Sequence, residues 1–374
     1  MSNSRIPVHE PDFGDEEIAA VVGALKRGEI SGSFGSAIPE FEERFAAFCG
    51  CSHGVAVSSG TTALQLAVQA AGIGWGDEVL VSASTNIASA LAAYHNNAVT
   101  VPVDSEPVTW NMDASLIENL ISPRTKAIIP VHLFGHPCEM DRIMEIARKH
   151  SLVVIEDCAE SHGATWQGMM TGSFGDMGCF SFYANKILTT GEGGMVVTSN
   201  AKLAERLRTL RNLAFGKPRF FHQMAGHNFR MTGMQAAFGL AQLAKIEGFI
   251  QIKRKIAHTY NRLLKDVPGL QLPPEMPGAY NVYWMYAVTI GPEFGISRDQ
   301  LAAHLADNGI ETRTFFCPMN QQPFLREQPG YRDVPCPVAD RIWTSGLYLP
   351  SANNLSEADI ERVTTKIREA AALR

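Results

Sequence analysis

The sequence predicts an α/β fold: a large domain with a mostly parallel, seven-stranded sheet sandwiched by helices, and a small α+β domain at the C-terminal end. Three observations carry this. Seven short apolar runs between residues 54 and 198 lack the polar alternation of a half-exposed strand, and stretches of helical periodicity separate most of them. A chain of 374 residues, 45% of them hydrophobic, can bury one large core and a second, smaller one. Pro268, Pro273, Pro274 and Pro277 mark a linker. The expected division is 1–248 for the large domain, with a lead-in over 1–50, and 249–374 for the small one.

Residues 15–26 carry Ile18, Val21, Val22 and Leu25 at helical spacing, and Gly28 ends the run. Residues 30–36 form a small-residue loop, read as a connector, before an amphipathic helix over 38–49. Strands follow at 54–57, 78–81, 99–103, 127–131, 152–155, 179–182 and 194–198. Helices are expected at 61–72, 85–96, 140–150, 201–212 and 233–246, then a long one over 249–264. Beyond the prolines, 282–290 and 310–316 read as strands, and 298–308 and 357–371 as helices. In an open α/β sheet, ligands sit at the C-terminal ends of the strands. The residues that follow the apolar runs are therefore the ones to search for chemistry.

The net charge of −6 gives no electrostatic case for nucleic acid or for an anionic membrane surface. No apolar run is long enough to span a bilayer and no signal-type segment is visible, so a cytoplasmic protein is expected. The seven cysteines are odd in number, scattered and without a CxxC pair; they predict reduced thiols, and neither a disulfide framework nor a metal site.

The chemistry centres on residues 153–195. The apolar run Val153-Val154-Ile155 ends abruptly in Glu156-Asp157, and Lys186 follows in a turn that leads to Gly191-Glu192-Gly193-Gly194. Asp157 reads either as a helix cap or as a carboxylate that keeps a pyridine nitrogen protonated. Lys186 reads either as a solvated lysine or as a Schiff-base former. Its apolar flanks, Phe182-Tyr183-Ala184 and Ile187-Leu188, suit an amine with a lowered pKa. Together they suggest pyridoxal 5'-phosphate (PLP) chemistry. Upstream, Ser58-Ser59-Gly60-Thr61-Thr62 follows a strand and opens a helix, which suits either a phosphate cradle or a plain N-cap. Ser181, on the strand that enters the lysine turn, is placed as a second phosphate ligand. Gly72-Ile73-Gly74-Trp75-Gly76 has the wrong spacing for a dinucleotide loop and follows a helix, so it reads as a helix terminator.

The motifs Gly60-Thr61-Thr62-Ala63-Leu64, Glu156-Asp157-Cys158-Ala159-Glu160, Gly172-Ser173-Phe174-Gly175-Asp176, Asn185-Lys186, Thr190-Gly191-Glu192-Gly193-Gly194-Met195 and Asn228-Phe229-Arg230-Met231-Thr232, in this order, resemble the DegT/DnrJ-type sugar aminotransferases. These are fold-type I PLP enzymes, and the resemblance runs over nearly the whole chain. It implies that Lys186 carries the cofactor and moves the proton, that Asp157 pairs with the pyridine nitrogen, and that Glu160 lies near the 3-hydroxyl. Gly60, Thr61 and Ser181 match phosphate contacts. Asn228 matches a phosphate contact from the neighbouring subunit, which implies a homodimer with shared active sites. Arg230, in the same motif, Arg313 and Phe315 fall at substrate positions, with Arg313 toward the anionic part.

One residue departs from the family pattern. Asn86 stands where an aromatic side chain usually stacks on the pyridine ring, and an amide offers less dispersion there. His136, in place of a frequent glutamine, reads as variation and not as a base. A second branch of the family carries histidine in place of the lysine and dehydrates its substrate; Lys186 argues against it. The implied function is transamination of a nucleotide-linked keto-deoxy-sugar with L-glutamate as donor, for surface polysaccharide or glycoside biosynthesis. Residues 311–319 and Trp284-Met285-Tyr286 look closest to members that convert GDP-4-keto-6-deoxy-mannose to GDP-perosamine. The alternatives are a dTDP- or UDP-linked sugar, a small phosphorylated ketone, or a PLP-binding protein without turnover; the intact Lys186–Asp157 pair weighs against the last.

Overall fold

The computed structural model describes residues 5–32, 34–218 and 220–372. Helices α1 (Asp15–Lys26) and α2 (Ala37–Phe48) precede an alternating series. It runs β1 (His53–Val57), α3 (Gly60–Ala70), β2 (Glu78–Ser82), α4 (Ala88–Tyr94), β3 (Val99–Val103), α5 (Ala114–Leu120), β4 (Thr125–Ile129), α6 (Met140–His150) and β5 (Val153–Asp157). A short hairpin of β6 (Thr165–Trp166) and β7 (Met169–Met170) leads to β8 (Met177–Ser181) and β9 (Gly194–Thr198), then to α7 (Ala201–Arg211), α8 (Gly233–Leu243) and α9 (Ile246–Leu264). The rest holds β10 (Leu270–Gln271), β11 (Ala279–Tyr280), β12 (Tyr286–Ile290), α10 (Arg298–Asp307), β13 (Arg313–Thr314), α11 (Pro323–Arg326), α12 (Pro337–Ser345), β14 (Gly346–Leu349) and α13 (Glu357–Ala371).

The seven strands of the main sheet lie in the order β1-β9-β8-β5-β4-β2-β3. Only β9 runs against its neighbours, so the sheet is mostly parallel. The missing polar alternation has a direct cause. Val79 and Val81 of β2 pack with Val55, Leu66 and Ala127 on one face, whereas Leu80 packs with Val101, Ile128 and Val154 on the other. Both faces are core, so both sets of side chains are apolar.

A second sheet, β10-β12-β14-β13, is antiparallel, and α9, α10 and α13 cover it through Ile256, Tyr260, Leu305, Val363 and Ile367. The small α+β unit is therefore present. Its strands are shorter than the apolar runs predict; β12 starts only at Tyr286 because Tyr283 adopts φ 48°, a left-handed conformation that ends any extended run before it. The lead-in also divides. Ile6 pairs with Ile310 and joins the C-terminal core, while α1 packs on α8. A boundary at 248/249 falls inside α9.

Two neighbouring acids at the end of β5 point to opposite faces of the sheet, as strand geometry requires. Asp157 faces the site described below. Glu156 is fully buried and organises a loop: its oxygens accept the N–H groups of Gly172, Phe174 and Gly175, each at 2.8 Å, and His132 Nε2 at 3.1 Å. His132 Nδ1 in turn accepts from the Cys138 N–H. His132, Glu156 and Cys158 come close enough to share an ion, but these hydrogen bonds already occupy both Glu156 oxygens and both His132 ring nitrogens. Replacing Glu156 by alanine leaves one buried and two half-buried N–H groups, and the buried His132 ring, without their acceptor. We expect it to lower stability by roughly 3–5 kcal/mol in urea titrations; an unchanged midpoint would contradict this reading of Glu156.

Candidate active site

A cavity of about 290 Å³ opens where the C-terminal ends of the parallel strands converge. Its floor comes from the main sheet: Ser59, Gly60 and Thr61 after β1, Thr85 and Asn86 after β2, Asp157 and Glu160 at and beyond β5, and Ser181 with the Lys186 turn after β8. Trp284, Phe316 and Tyr348 close it from the C-terminal unit.

The start of α3 resolves the two readings of its serines and threonines. Ser59 is a true N-cap: its Oγ accepts the Thr62 N–H at 3.1 Å, and the Thr62 hydroxyl accepts the Ser59 N–H at 3.0 Å. The first-turn N–H groups of Gly60 and Thr61 have no intrahelical acceptor, and both residues line the cavity. Position 60 has to be glycine, because a Cβ there would lie 2.6 Å from the Ser181 Cβ. The helix N-terminus thereby approaches Ser181 closely enough for both to hold one anion.

Three ionisable groups share this cavity. The Asp157 carboxylate accepts the Ser89 hydroxyl at 2.6 Å and the Ala159 N–H at 3.1 Å; burial pushes its pKa up, against those hydrogen bonds and the Lys186 charge. Glu160 accepts the Phe134 N–H at 2.8 Å, and burial raises its carboxyl to about 7. Burial lowers the Lys186 amine, against the charges of Glu160 and Asp157. Among the described residues, no ion pair within 4.0 Å joins any of the three to another charged side chain. Lys186 Nζ instead lies 3.9 Å from the centre of the Trp284 ring. The Lys186 turn is held by its N–H to the Tyr183 carbonyl and by the buried Ile187 and Leu188.

The remaining expected site residues divide. Asn86 is at the cavity, with its side-chain oxygen accepting the Ala88 N–H at the start of α4, which leaves the NH2 group for the cavity. Asn228 is exposed on the segment that runs beside β1, where Phe229 O accepts the Ser58 N–H, and it does not line the cavity of its own chain. Arg230 donates to Asn212 at 2.7 Å and is likewise outside. Arg313 pairs with Glu311 at 2.6 Å in an adjoining cavity of about 270 Å³ that shares Tyr183, Asn185 and Tyr348 with the first. Phe315 needs correcting: it is 1% exposed, packed against Trp110 and Phe134, and its neighbour Phe316 lines the cavity instead. The two rings follow β13 directly, where the Phe315 N–H still donates to Gly346 O, and neighbouring side chains there part between core and cavity, so a one-residue error in register moves a ring from one to the other. Ser89 and Trp284 were the partners that sequence reasoning missed. A serine in the first turn of the helix after β2 was the only signal for Ser89.

The model of the DegT/DnrJ/EryC1/StrS aminotransferase family matches residues 11–368. The chain belongs to this family. It is 42% identical to the GDP-perosamine synthase of Caulobacter vibrioides over 361 residues, 96% of each protein. With the enzyme of the same name from Escherichia coli O157:H7 it shares 40% over 365 residues, covering 97% of this chain and 98% of that one. Among solved structures, Streptomyces venezuelae DesV in complex with a ketimine intermediate superposes with a TM-score of 0.90 at 36% identity, over 98% of this chain and 99% of that one. The protein is a PLP-dependent aminotransferase with the α/β fold of that family.

The residues present fit the cofactor. Asp157 is a buried carboxylate without an ion-pair partner within 4.0 Å among the described residues, which suits a protonated pyridine nitrogen. The α3 N-terminus with Ser181 suits a phosphate, and Lys186 offers a desolvated amine.

Glu160 yields a test without cofactor. A carboxyl raised from about 4.5 to about 7 on folding makes the folded state bind the extra proton, so stability falls as pH rises between those values. E160Q removes this loss and still accepts the Phe134 N–H. In urea titrations of the cofactor-free protein, the variant should gain on wild type by roughly 3 kcal/mol between pH 4.5 and 7.5. Parallel pH profiles would contradict the raised carboxyl.

Proposed function

We propose that the chain transaminates a nucleotide-linked keto-deoxy-sugar, with GDP-4-keto-6-deoxy-mannose as acceptor, GDP-perosamine as product and L-glutamate as amino donor. The observation that carries the reading is the single cavity in which the Lys186 amine faces the carboxyls of Asp157 and Glu160 beside a helix N-terminus. The two relatives named GDP-perosamine synthases support the choice of sugar. PLP, when bound, would supply the electron sink for the electron pair left on the amino donor's α-carbon when its proton is removed.

The chain's own groups have separable duties in this reading. Lys186 holds the cofactor and carries the proton, because burial depresses its pKa and so leaves more of the amine neutral. Asp157 keeps the ring nitrogen charged, and Ser89 and the Ala159 N–H fix its orientation. Gly60, Thr61 and Ser181 hold the phosphate, and Glu160 meets the ring on its hydroxyl side. Asn86 lies against the ring. Trp284, Phe316 and Tyr348 exclude water. Arg313, paired with Glu311 next door, is placed for the anionic part of the sugar nucleotide.

A homodimer with shared sites belongs to the same reading. The apolar stripe of α1 faces outward: Ile18, Val22 and Leu25 are 52%, 42% and 49% exposed, while Glu17 and Ala24 are buried. Phe34, Phe220 and Phe221 are also exposed, and a second copy of this chain is the simplest cover for so much apolar surface. Asn228, exposed and outside its own cavity, then reaches the partner's phosphate site. Among the described residues no helix is long and apolar enough to cross a membrane, and a cytoplasmic enzyme of surface-polysaccharide biosynthesis completes the reading.

In the PLP-loaded protein, L-glutamate should convert the cofactor's visible absorption to that of its amine form. GDP-4-keto-6-deoxy-mannose should then restore it faster than dTDP- or UDP-linked keto-sugars. A spectrum that L-glutamate leaves unmoved overturns the donor, and restoration by a dTDP- or UDP-sugar alone overturns the acceptor. For the shared site, K186A and N228A should each lose activity, K186A by at least roughly 10²–10⁴-fold, and mixing the two should restore part of it. No recovery after subunit exchange would place Asn228 outside the partner's site.

A further inference from the structure

We propose that Trp284 is a positioning residue for Lys186, its indole face holding the lysine's free amine at the cavity wall. The proposal rests on the reading of Lys186 as the cofactor-bearing lysine. Lys186 Nζ lies 3.9 Å from the centre of the Trp284 ring, and Trp284 Nε1 donates to the carbonyl of Asn185, one residue before the lysine, at 2.7 Å. The same ring therefore touches the amine and anchors the backbone that carries it. A tryptophan face within about 6 Å of an ammonium attracts it, most strongly where water is excluded; Trp284 is 2% exposed.

The ring's own placement is built with unusual backbone. Trp284 stacks on Phe134 at 6.4 Å and 13°, and Phe134 stacks on Phe316 at 6.0 Å and 11°. Phe134 and Tyr283, both non-glycine, have φ values of 53° and 48°. Between them the segments interlock: Val282 N–H donates to Gly135 O, and a Cβ at Gly135 would lie 2.8 Å from the Trp284 backbone nitrogen. Strained conformations persist where the surroundings over-determine them, and here they fix one ring against one amine. The Phe134 N–H also holds Glu160, so one loop sets both the carboxyl and the ring that face Lys186.

Other titratable groups reach Lys186 as well. Asp157 and Glu160 favour its charged form, whereas burial lowers His9 to about 4 and His162 to about 3, which keeps both neutral near pH 7. Removing the ring while these stay in place should lower the pKa of the amine, because an attraction that favours the ammonium is lost.

The test uses the cofactor-free full chain, labelled with trace acetic anhydride across pH, with the Lys186 peptide quantified by mass spectrometry. In W284L the labelling midpoint should move to lower pH, and in W284F, which keeps a weaker face, it should move less in the same direction. A midpoint unchanged or raised in W284F overturns the proposal, including in the case that W284L does not fold. Added PLP should protect the Lys186 peptide of the wild type. Failure of that protection, with the midpoint shift intact, would sink the reading of Lys186 and leave the Trp284 contact standing.

Discussion

A carboxylate buried at the end of a strand, without an ion-pair partner within 4.0 Å among the described residues, is the constraint on which the rest of this structure depends. Asp157 is held by a serine hydroxyl and one backbone N–H while burial works against its charge. A bare buried anion is costly, and the usual outcomes are a raised pKa or a partner that brings positive charge. The Lys186 charge acts on Asp157 without an ion pair, and a protonated ring in the cavity would bring positive charge directly to the carboxylate. The Lys186 amine, the Glu160 carboxyl and the helix N-terminus are then spaced around the same volume.

The two acids that end β5 show how one strand serves both fold and chemistry. Glu156 turns to the loop at 172–175 and satisfies its amides, and Asp157 turns to the cavity. The alternation of the strand makes the duties separable: one side chain stabilises the edge of the sheet from which the other acts. Around this pair, the aromatic wall from the C-terminal unit keeps water away from the amine and strengthens each electrostatic contact inside.

Much of this was legible in the sequence, for identifiable reasons. Apolar runs without alternation gave the two-faced sheet, because each face of β2 meets a different core. Asp157, Glu160 and Lys186 were legible because they lie in short motifs on either side of strand ends, and the structure brings them to one cavity. Phe315 and Phe316 could not be told apart, since they lie just past a two-residue strand, too short for sequence period to fix which neighbour faces inward. The outward stripe of α1 was read correctly as a helix, but its buried face is made of small residues and a satisfied glutamate, which periodicity does not distinguish. Ser89 and Trp284 act through contacts made across 68 and 99 positions of sequence, which no local pattern encodes.

The central claim is that Lys186 is the amine that bears the cofactor. Borohydride reduction of the PLP-loaded protein, followed by peptide mass spectrometry, tests it most directly. Lys253 serves as the internal control, since it too is buried, with a pKa lowered to about 7, but lies outside the cavity. The reduced cofactor should be found on the Lys186 peptide and not on that of Lys253. An adduct on another lysine, or none on Lys186, would contradict the account.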